Sequence, residues 1–171
     1  MDFPLVLIVA FGALVALLLV LARGSRSGST NAPLYECGPA LFTGSERSFF
    51  GVLEQAVGEQ YRIFGKVRLA DILGVRSDLI ASERQGAQNR LTGKHVDFVL
   101  CRPDDLSVAA VIELDDKSHG SKKRQARDQF VDAAFRAAGL PIYHFAAKAT
   151  YDLRSVREEL ADLLTSHSQH L

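Results

Sequence analysis

Two apolar runs near the middle of the chain decide its fold: HVDFVLC at residues 95–101 and VAAVIELD at residues 108–115. Both have the length of ordinary strands and are rich in β-branched side chains, and the turn-forming segment RPDDLS separates them. We therefore predict a β-hairpin. The second run is apolar on both faces until it reaches Glu113, which is typical of a central strand that is covered on both sides.

The sequence around this hairpin predicts further elements. Upstream, Thr43-Gly44-Ser45-Glu46 has the spacing of a capping box, which begins an amphipathic helix that we expect to end near Gly58. The others are predicted, in chain order, as an extended segment (61–73), a polar excursion (74–94) with a short helix near 78–84, a helix (121–138) with its apolar stripe at Ala126, Phe130, Ala134 and Ala137, a strand (140–146) and a final helix (153–164). This order predicts an α/β domain with a mixed sheet flanked by helices.

Carboxylates stand inside the two apolar runs. Alternation places Asp97 on the opposite face from Val96 and Phe98, whereas Glu113 and Asp115 share a face. Asp97 and Glu113 are equally far from the turn, so we expect them to lie opposite each other and the three acids to converge at one end of the sheet. Like charges that close raise one another's pKa unless a proton or a cation relieves them, and Mg²⁺ or Mn²⁺ is the natural relief.

A second interpretation of these acids stays open. In this interpretation the hairpin ends in solvent, and its acids pair with Lys117, Lys122 or Arg127. Carboxylates at strand ends are common, and structural ion pairs have the same residue pattern as a site.

The N-terminal segment has a different character. Residues 3–22 carry no charged or hydrogen-bonding side chain, and as a helix they would span roughly 30 Å, the thickness of a bilayer's hydrocarbon core. We predict a transmembrane anchor at residues 1–23, with the lipid bilayer as its partner, since the basic start of a signal peptide is missing. Arg23 and Arg26 follow the apolar run, which favours a single-pass protein with its C-terminal domain in the cytoplasm.

Composition divides the rest of the chain. Residues 24–40 are rich in Gly and Ser and are predicted to form a flexible tether, residues 41–166 the folded domain and residues 167–171 a frayed tail. The 20 Lys and Arg balance the 20 Asp and Glu, which argues against a nucleic-acid coat protein bound by bulk charge but leaves room for a local basic patch. With only Cys37 and Cys101, a disulfide framework and a cysteine zinc site are both disfavoured.

A family resemblance rests on the order of these motifs. Asp97, Glu113-Leu114-Asp115, His119, Arg127-Asp128 and Gly139-Leu140-Pro141-Ile142 together resemble the PD-(D/E)XK nuclease superfamily, near its very-short-patch-repair endonuclease branch. Within it, HVDFVLC, IELDDKSH, RDQF and AGLPIY are similar to the bacterial domain-of-unknown-function family 2726. The resemblance covers residues 41–164. It implies a restriction-endonuclease-like αβββαβ core and, with the anchor, a place in the bacterial inner membrane.

The resemblance also implies roles for residues. Asp97 matches the first metal-binding acid and Glu113 the second, with Asp115 as a further ligand or as the group that orients the attacking water. Glu46 stands where many members place a supporting acid, although it is equally the capping-box partner. The motif lysine is replaced by Asp115, and a literal D-x-K appears only as Asp115-Asp116-Lys117. The implied catalytic set is Asp97, Glu113, Asp115, Lys117 and His119, working with Mg²⁺ or Mn²⁺.

Four cations stand at the start of the predicted helix after the hairpin: Lys122, Lys123, Arg124 and Arg127. They are candidates for binding a nucleic-acid backbone, because cations at a helix N-terminus oppose the macrodipole and an external anion would offset that cost. The alternative is a solvated helix face.

These observations lead to two expectations of different class. The first is a membrane-anchored, divalent-metal-dependent nuclease that hydrolyses phosphodiester bonds. The alternative is a catalytically inactive nuclease fold that acts as a membrane-tethered module binding nucleic acid or protein.

Overall fold

The computed structural model describes residues 12–15, 17–18, 34–116 and 122–167. Residues 1–39 and 40–171 form two separate compact units. In the first, residues 12–15 and 17–18 are helical and exposed. Within the described residues no helix has the length and apolar character needed to cross a membrane. Most of the predicted anchor, residues 24–33 of the predicted tether and residues 168–171 of the predicted tail lie outside the described residues.

A four-stranded mixed sheet forms the centre of the second unit. Its strands are β1 (Arg62–Arg68), β2 (His95–Cys101), β3 (Val108–Asp115) and β4 (Ile142–Ala146), in the order β1-β2-β3-β4. The pairs β1/β2 and β2/β3 are antiparallel, and β3/β4 is parallel. The predicted hairpin and the predicted mixed sheet are confirmed, and β2 and β3 have the bounds that their apolar runs indicate.

Helices cover both faces of this sheet. They are α1 (Gly44–Val57), α2 (Leu69–Ile72), α3 (Ala81–Leu91), α4 (Lys122–Ala137), α5 (Leu153–Glu159) and α6 (Ala161–His167). One core cluster joins α1, α5 and α6 to the sheet through fully buried side chains such as Phe49, Phe98 and Leu160. The second joins α2, α3 and α4 to the other face, around Val111 and Phe135. The sheet therefore separates two apolar layers, as the composition of β3 predicts.

The capping box begins α1 as predicted. Thr43 accepts a hydrogen bond from the Glu46 backbone N–H, and the Glu46 carboxylate accepts one from the Thr43 N–H at 2.8 Å. The helix ends at Gly58, whose φ of 55° lies in the left-handed region that favours glycine. These local bonds fix where Glu46 stands relative to the sheet.

Several predicted boundaries were wrong. The predicted 61–73 strand ends at Arg68 and continues as α2, and the helix near 78–84 is the longer α3. On α4 the buried side chains are Val131 and Phe135, whereas Ala126 and Ala137 are exposed. The final helix is two helices, since the chain turns at Leu160.

The alternation of faces breaks where β1 meets β2. Val67 and Val96 pack in the second core cluster, whereas Ile63 and Phe98 pack in the first. Residues two apart in a regular strand share a face, so both strands change face near their midpoints. The prediction that Val96 and Phe98 share a face opposite Asp97 was therefore wrong. Asp97 lies at the crossover itself.

Candidate active site

The candidate site lies at the end of the sheet where the strands β1 and β3 end and the strand β2 begins. Phe98 pairs with Ile112 in the antiparallel register, so the next residue pair sets Asp97 opposite Glu113. The two carboxyl groups interact, because the charge of Asp97 and a side-chain hydrogen bond to it both raise the pKa of Glu113. The structure thus brings together the first two acids that the sequence indicates.

Asp97 is bonded on both oxygens. Its Oδ2 accepts a hydrogen bond from the Leu114 backbone N–H at 2.9 Å, and its Oδ1 accepts one from Lys66 Nζ at 3.2 Å. The Asp97 side chain is only 14% exposed. These bonds fix the carboxylate between β1 and β3.

Lys66 joins two acids that are distant in sequence. Its Nζ donates to Glu46 Oε1 at 2.5 Å as well as to Asp97. Burial by itself would lower the pKa of Lys66, but the hydrogen bonds to the two carboxylates raise it above the usual value. For Glu46, burial would raise the pKa, but Lys66 and the Thr43 N–H together lower it. The site therefore holds the Lys66 ammonium group between the Glu46 and Asp97 carboxyl groups, and Glu46 serves the capping box and this ion pair at once.

Lys66 also has an unusual backbone. Its φ is 56°, in the left-handed region that non-glycine residues seldom occupy. Such a conformation costs on the order of 1 to 3 kcal/mol and persists only where neighbouring contacts impose it, which is most often at functional sites. The neighbouring Gly65 lies where the Phe42 ring leaves no space for a Cβ. Sequence reasoning missed Lys66, although a glycine inside a predicted strand is a signal for such an irregularity.

Glu113 is the most perturbed acid of the site. Burial, followed by the charge of Asp97, raises its pKa to about 8, and the nearby Arg127 guanidinium only partly offsets this rise. The closest distance between Arg127 Nη2 and Glu113 Oε1 is 3.9 Å. At neutral pH the Glu113 carboxyl therefore keeps its proton. A proton relieves the repulsion that the sequence predicts for converging acids.

Asp115 is directed to a different partner. Its carboxylate lies 3.2 Å from Nδ1 of His144 on β4, and His144 Nε2 lies 3.1 Å from Asp132 Oδ1 on α4. His144 is the register partner of Glu113 across the β3/β4 pair. The structure thus places a histidine beside the site that sequence reasoning missed, because its position becomes evident only from the parallel pairing.

The predicted basic residues are described only in part. Arg127 Nη2 donates to the His95 carbonyl at 3.3 Å, and Nη1 lies 3.5 Å from Asp128. Lys117 and His119 lie outside the described residues. Lys122, Lys123 and Arg124 belong to the first turn of α4, and their side chains lie outside the described part of the chain.

A metal ion fits this donor set in one way. Among the described residues, no three His, Cys, Asp or Glu side chains are grouped so that they could hold a metal ion. Asp97 and Glu113 form a group of two. Mg²⁺ commonly binds one or two carboxylates and completes its octahedron with water and substrate phosphate. The acid pair therefore fits Mg²⁺ with phosphate oxygens as further ligands, and it does not fit an all-protein cage.

Comparison with known proteins gives one match. A family model described as "Protein of unknown function (DUF2726)" matches residues 39–164. No curated protein and no solved structure matches the chain.

Proposed function

This chain belongs to the DUF2726 family of proteins of unknown function, and from that premise we propose that its folded domain is a divalent-metal-dependent nuclease that hydrolyses phosphodiester bonds. The proposal includes a restriction-endonuclease-like fold and membership of the PD-(D/E)XK superfamily. In support, α1, β1, β2, β3, α4 and β4 follow one another in the αβββαβ order that the resemblance implies, with α2 and α3 inserted between β1 and β2.

The observation that carries the proposal is the largely buried pair Asp97 and Glu113, whose side chains are 14% and 13% exposed. Two carboxyl groups in contact at a sheet edge cost free energy, because burial and mutual repulsion both oppose ionisation. The rise of the Glu113 pKa to about 8 expresses that cost. Strongly perturbed acids of this kind are concentrated at functional sites, where the cost serves binding or catalysis.

Each neighbouring group has a role in the proposed reaction. A bound Mg²⁺ or Mn²⁺, held by Asp97 and Glu113, would supply charge neutralisation at the phosphate and a lower pKa for the attacking water. Lys66 holds Asp97 in place and presents an ammonium group that can donate to a phosphate oxygen. Arg127 stands beside Glu113, with a guanidinium suited to phosphate.

The remaining motif residues keep their proposed roles. Lys117 would stabilise charge on the phosphate, and His119 would act as general base or acid. Asp115 would bind metal or orient the attacking water, and its carboxylate lies 3.2 Å from His144 Nδ1.

Membrane attachment is part of the same proposal. The charge-free residues 3–22 support an anchor in the bacterial inner membrane, and Arg23 and Arg26 support a cytoplasmic domain.

Cleavage assays test the proposal directly. The full-length chain is incubated with duplex and single-stranded DNA and RNA, in Mg²⁺, in Mn²⁺ and in excess chelator. We expect cleavage that needs the metal, that Asp97→Asn abolishes, and that the control Glu59→Gln retains, since Glu59 is exposed and lies in the loop after α1. If no substrate is cut in either metal, the nuclease proposal is rejected.

One observation favours the second candidate, a catalytically silent binding module. The Asp97 carboxylate already accepts hydrogen bonds from Lys66 and from the Leu114 N–H, and the Asp115 carboxylate contacts His144. In such a module Lys66 would be a permanent replacement for the metal. The cleavage assay separates the two, because the silent module would bind nucleic acid or protein without cutting in any metal.

A further inference from the structure

The helix α3 lacks the apolar stripe that holds most helices in place. Of its residues Ala81–Leu91, only Leu91 is buried. A helix that is polar on all sides gains little from packing, so its stability depends on other contacts. The clearest of these contacts lie at its C-terminal end, next to the candidate active site.

Two cations at that end share one aromatic ring. The Arg90 guanidinium carbon lies 4.3 Å from the centre of the Phe130 ring on α4, and Lys94 Nζ lies 5.6 Å from it. Lys94 also donates to the Arg90 carbonyl, which closes the helix end. Gly93, with a φ of 71°, makes the turn that brings Lys94 back to the helix. These contacts hold both cations in fixed positions.

Among the described residues, no acid forms a salt bridge with either cation of this pair. Nearby, Arg68 is paired with Asp71 at 2.8 Å and Arg76 with Asp78. Neither Arg90 nor Lys94 forms a salt bridge within the described part of the chain. Two cations held on one ring repel each other, and an external anion would relieve that repulsion.

Contacts through His95 and Arg127 link these cations to the acid pair Asp97 and Glu113. Lys94 precedes His95, whose carbonyl accepts a hydrogen bond from Arg127. Arg127 stands one turn before Phe130 on α4 and lies 3.9 Å from Glu113. Phe130 and His95 therefore link Arg90 and Lys94 to Arg127, which lies beside Glu113 and 3.5 Å from Asp128.

We propose that these three cations, here called the basic track (Arg90, Lys94 and Arg127), bind phosphates of a nucleic-acid strand and lead the strand to Asp97 and Glu113. The inference rests on the proposed function, since it names where that substrate lies. Arginine forks and lysine ammonium groups are the usual partners of backbone phosphates. An amphipathic helix that inserts into a membrane surface carries an apolar face beside its charges, and α3 has none.

Oligonucleotide binding tests the track. Fluorescence anisotropy is measured with labelled duplex DNA and single-stranded RNA on the full-length chain carrying Asp97→Asn, so that binding is read without cleavage. We compare the double variant Arg90→Gln/Lys94→Gln with Arg62→Gln/Arg102→Gln, which removes the same charge at the opposite end of the sheet.

The track variant should bind at least about tenfold more weakly, with a plot of log K against log salt that is flatter by about 1 to 2. The control should stay within about twofold, and Arg90→Lys should restore most of the affinity lost in Arg90→Gln. Thermal unfolding of each variant checks that the fold is kept.

Two results would overturn the inference. One is equal oligonucleotide affinity of the track variant and its control. The other is a loss of binding to phosphatidylglycerol vesicles with unchanged oligonucleotide binding, which would assign the track to the membrane surface. Failure of cleavage by the wild type rejects the nuclease and leaves this binding result standing, so the two proposals fail separately.

Discussion

The two ends of the central sheet both carry acidic residues, but Asp105 is exposed at one end, whereas Asp97 and Glu113 are largely buried at the other. At the β2–β3 turn, Asp105 is exposed and accepts a hydrogen bond from the Ser107 N–H at 2.8 Å. Its hydrogen bonds to Ser107 lower its pKa. At the other end, burial and Asp97 raise the pKa of Glu113 to about 8. The turn acid stabilises local structure, whereas the buried acid costs stability when it ionises.

This difference teaches how a site can be told from a turn in a sequence that holds acids at both places. Residue type does not distinguish them. What distinguishes Glu113 is that the Asp97 carboxyl interacts with it, while the nearest cation among the described residues, Arg127, is 3.9 Å away. Changes at either end should therefore have effects of different size and of opposite pH dependence.

The largest expected effect is on cleavage. Glu113→Gln keeps the shape of the side chain but removes one of two carboxylates proposed to hold the metal, so kcat should fall by about a thousandfold or more. Asp105→Asn, at the turn end, should keep kcat within about twofold. Single-turnover rates in saturating Mg²⁺ measure both. Equal rates for Glu113→Gln and wild type would remove Glu113 from the mechanism.

The pH dependence of stability gives the next effect. Because folding raises the pKa of Glu113, its protonated carboxyl contributes to the free energy of unfolding. This contribution is fully present below the usual pKa of 4.5 and is lost as pH rises through about 8. Each pKa unit corresponds to about 1.4 kcal/mol, so the loss amounts to a few kcal/mol by pH 9. Glu113→Gln should match the wild type near pH 4 and exceed it in unfolding free energy at pH 9. Urea unfolding at both pH values measures this, and parallel pH curves for the two proteins would contradict the assignment.

The next largest effect should follow from replacing Lys66, which lies between Glu46 and Asp97. Lys66→Met leaves Glu46 and Asp97 without their cation in a site where each carboxylate is less than 15% exposed. Removing one partner of a buried pair is strongly destabilising, and we expect a loss of about 3 kcal/mol. Arg102→Gln, at the exposed turn, should change the unfolding free energy by less than about 0.5 kcal/mol. A Lys66→Met loss as small as that of Arg102→Gln would mean that the ion pair is solvated.

The smallest effect is at the turn acid. Because folding lowers the pKa of Asp105, its ionised carboxylate contributes to the stability of the fold above the usual pKa. This contribution is lost as pH falls through the lowered value. Asp105→Asn should therefore lower Tm by no more than about 2 °C at pH 7 and by less near pH 2.5. Calorimetry at the two pH values gives the comparison. A larger deficit at low pH than at neutral pH would reverse the assigned sign.

Much of this arrangement can be predicted from local sequence. The apolar runs indicate β2 and β3 with their observed bounds, and the capping box indicates the start of α1. The contact between Asp97 and Glu113 follows from their equal distance to the turn, because the register keeps that symmetry up to Leu100.

The rest depends on contacts between distant residues. Lys66 lies 20 residues from Glu46 and 31 from Asp97, and no local pattern joins them. The helix α3 was predicted too short because only Leu91 of its residues is buried, so hydrophobic periodicity carries no signal there. His144 reaches Asp115 only through the parallel pairing of β3 and β4.

Calorimetric titration of Mn²⁺ into the full-length chain tests most directly whether Asp97 and Glu113 hold a metal ion. At pH 7, in two buffers that differ in ionisation enthalpy, the account predicts binding with release of about one proton per ion, because the metal displaces the Glu113 proton. Glu113→Gln should lose this proton release together with most of the affinity. Absence of Mn²⁺ binding at millimolar concentration, or binding that Glu113→Gln leaves unchanged, would contradict the account.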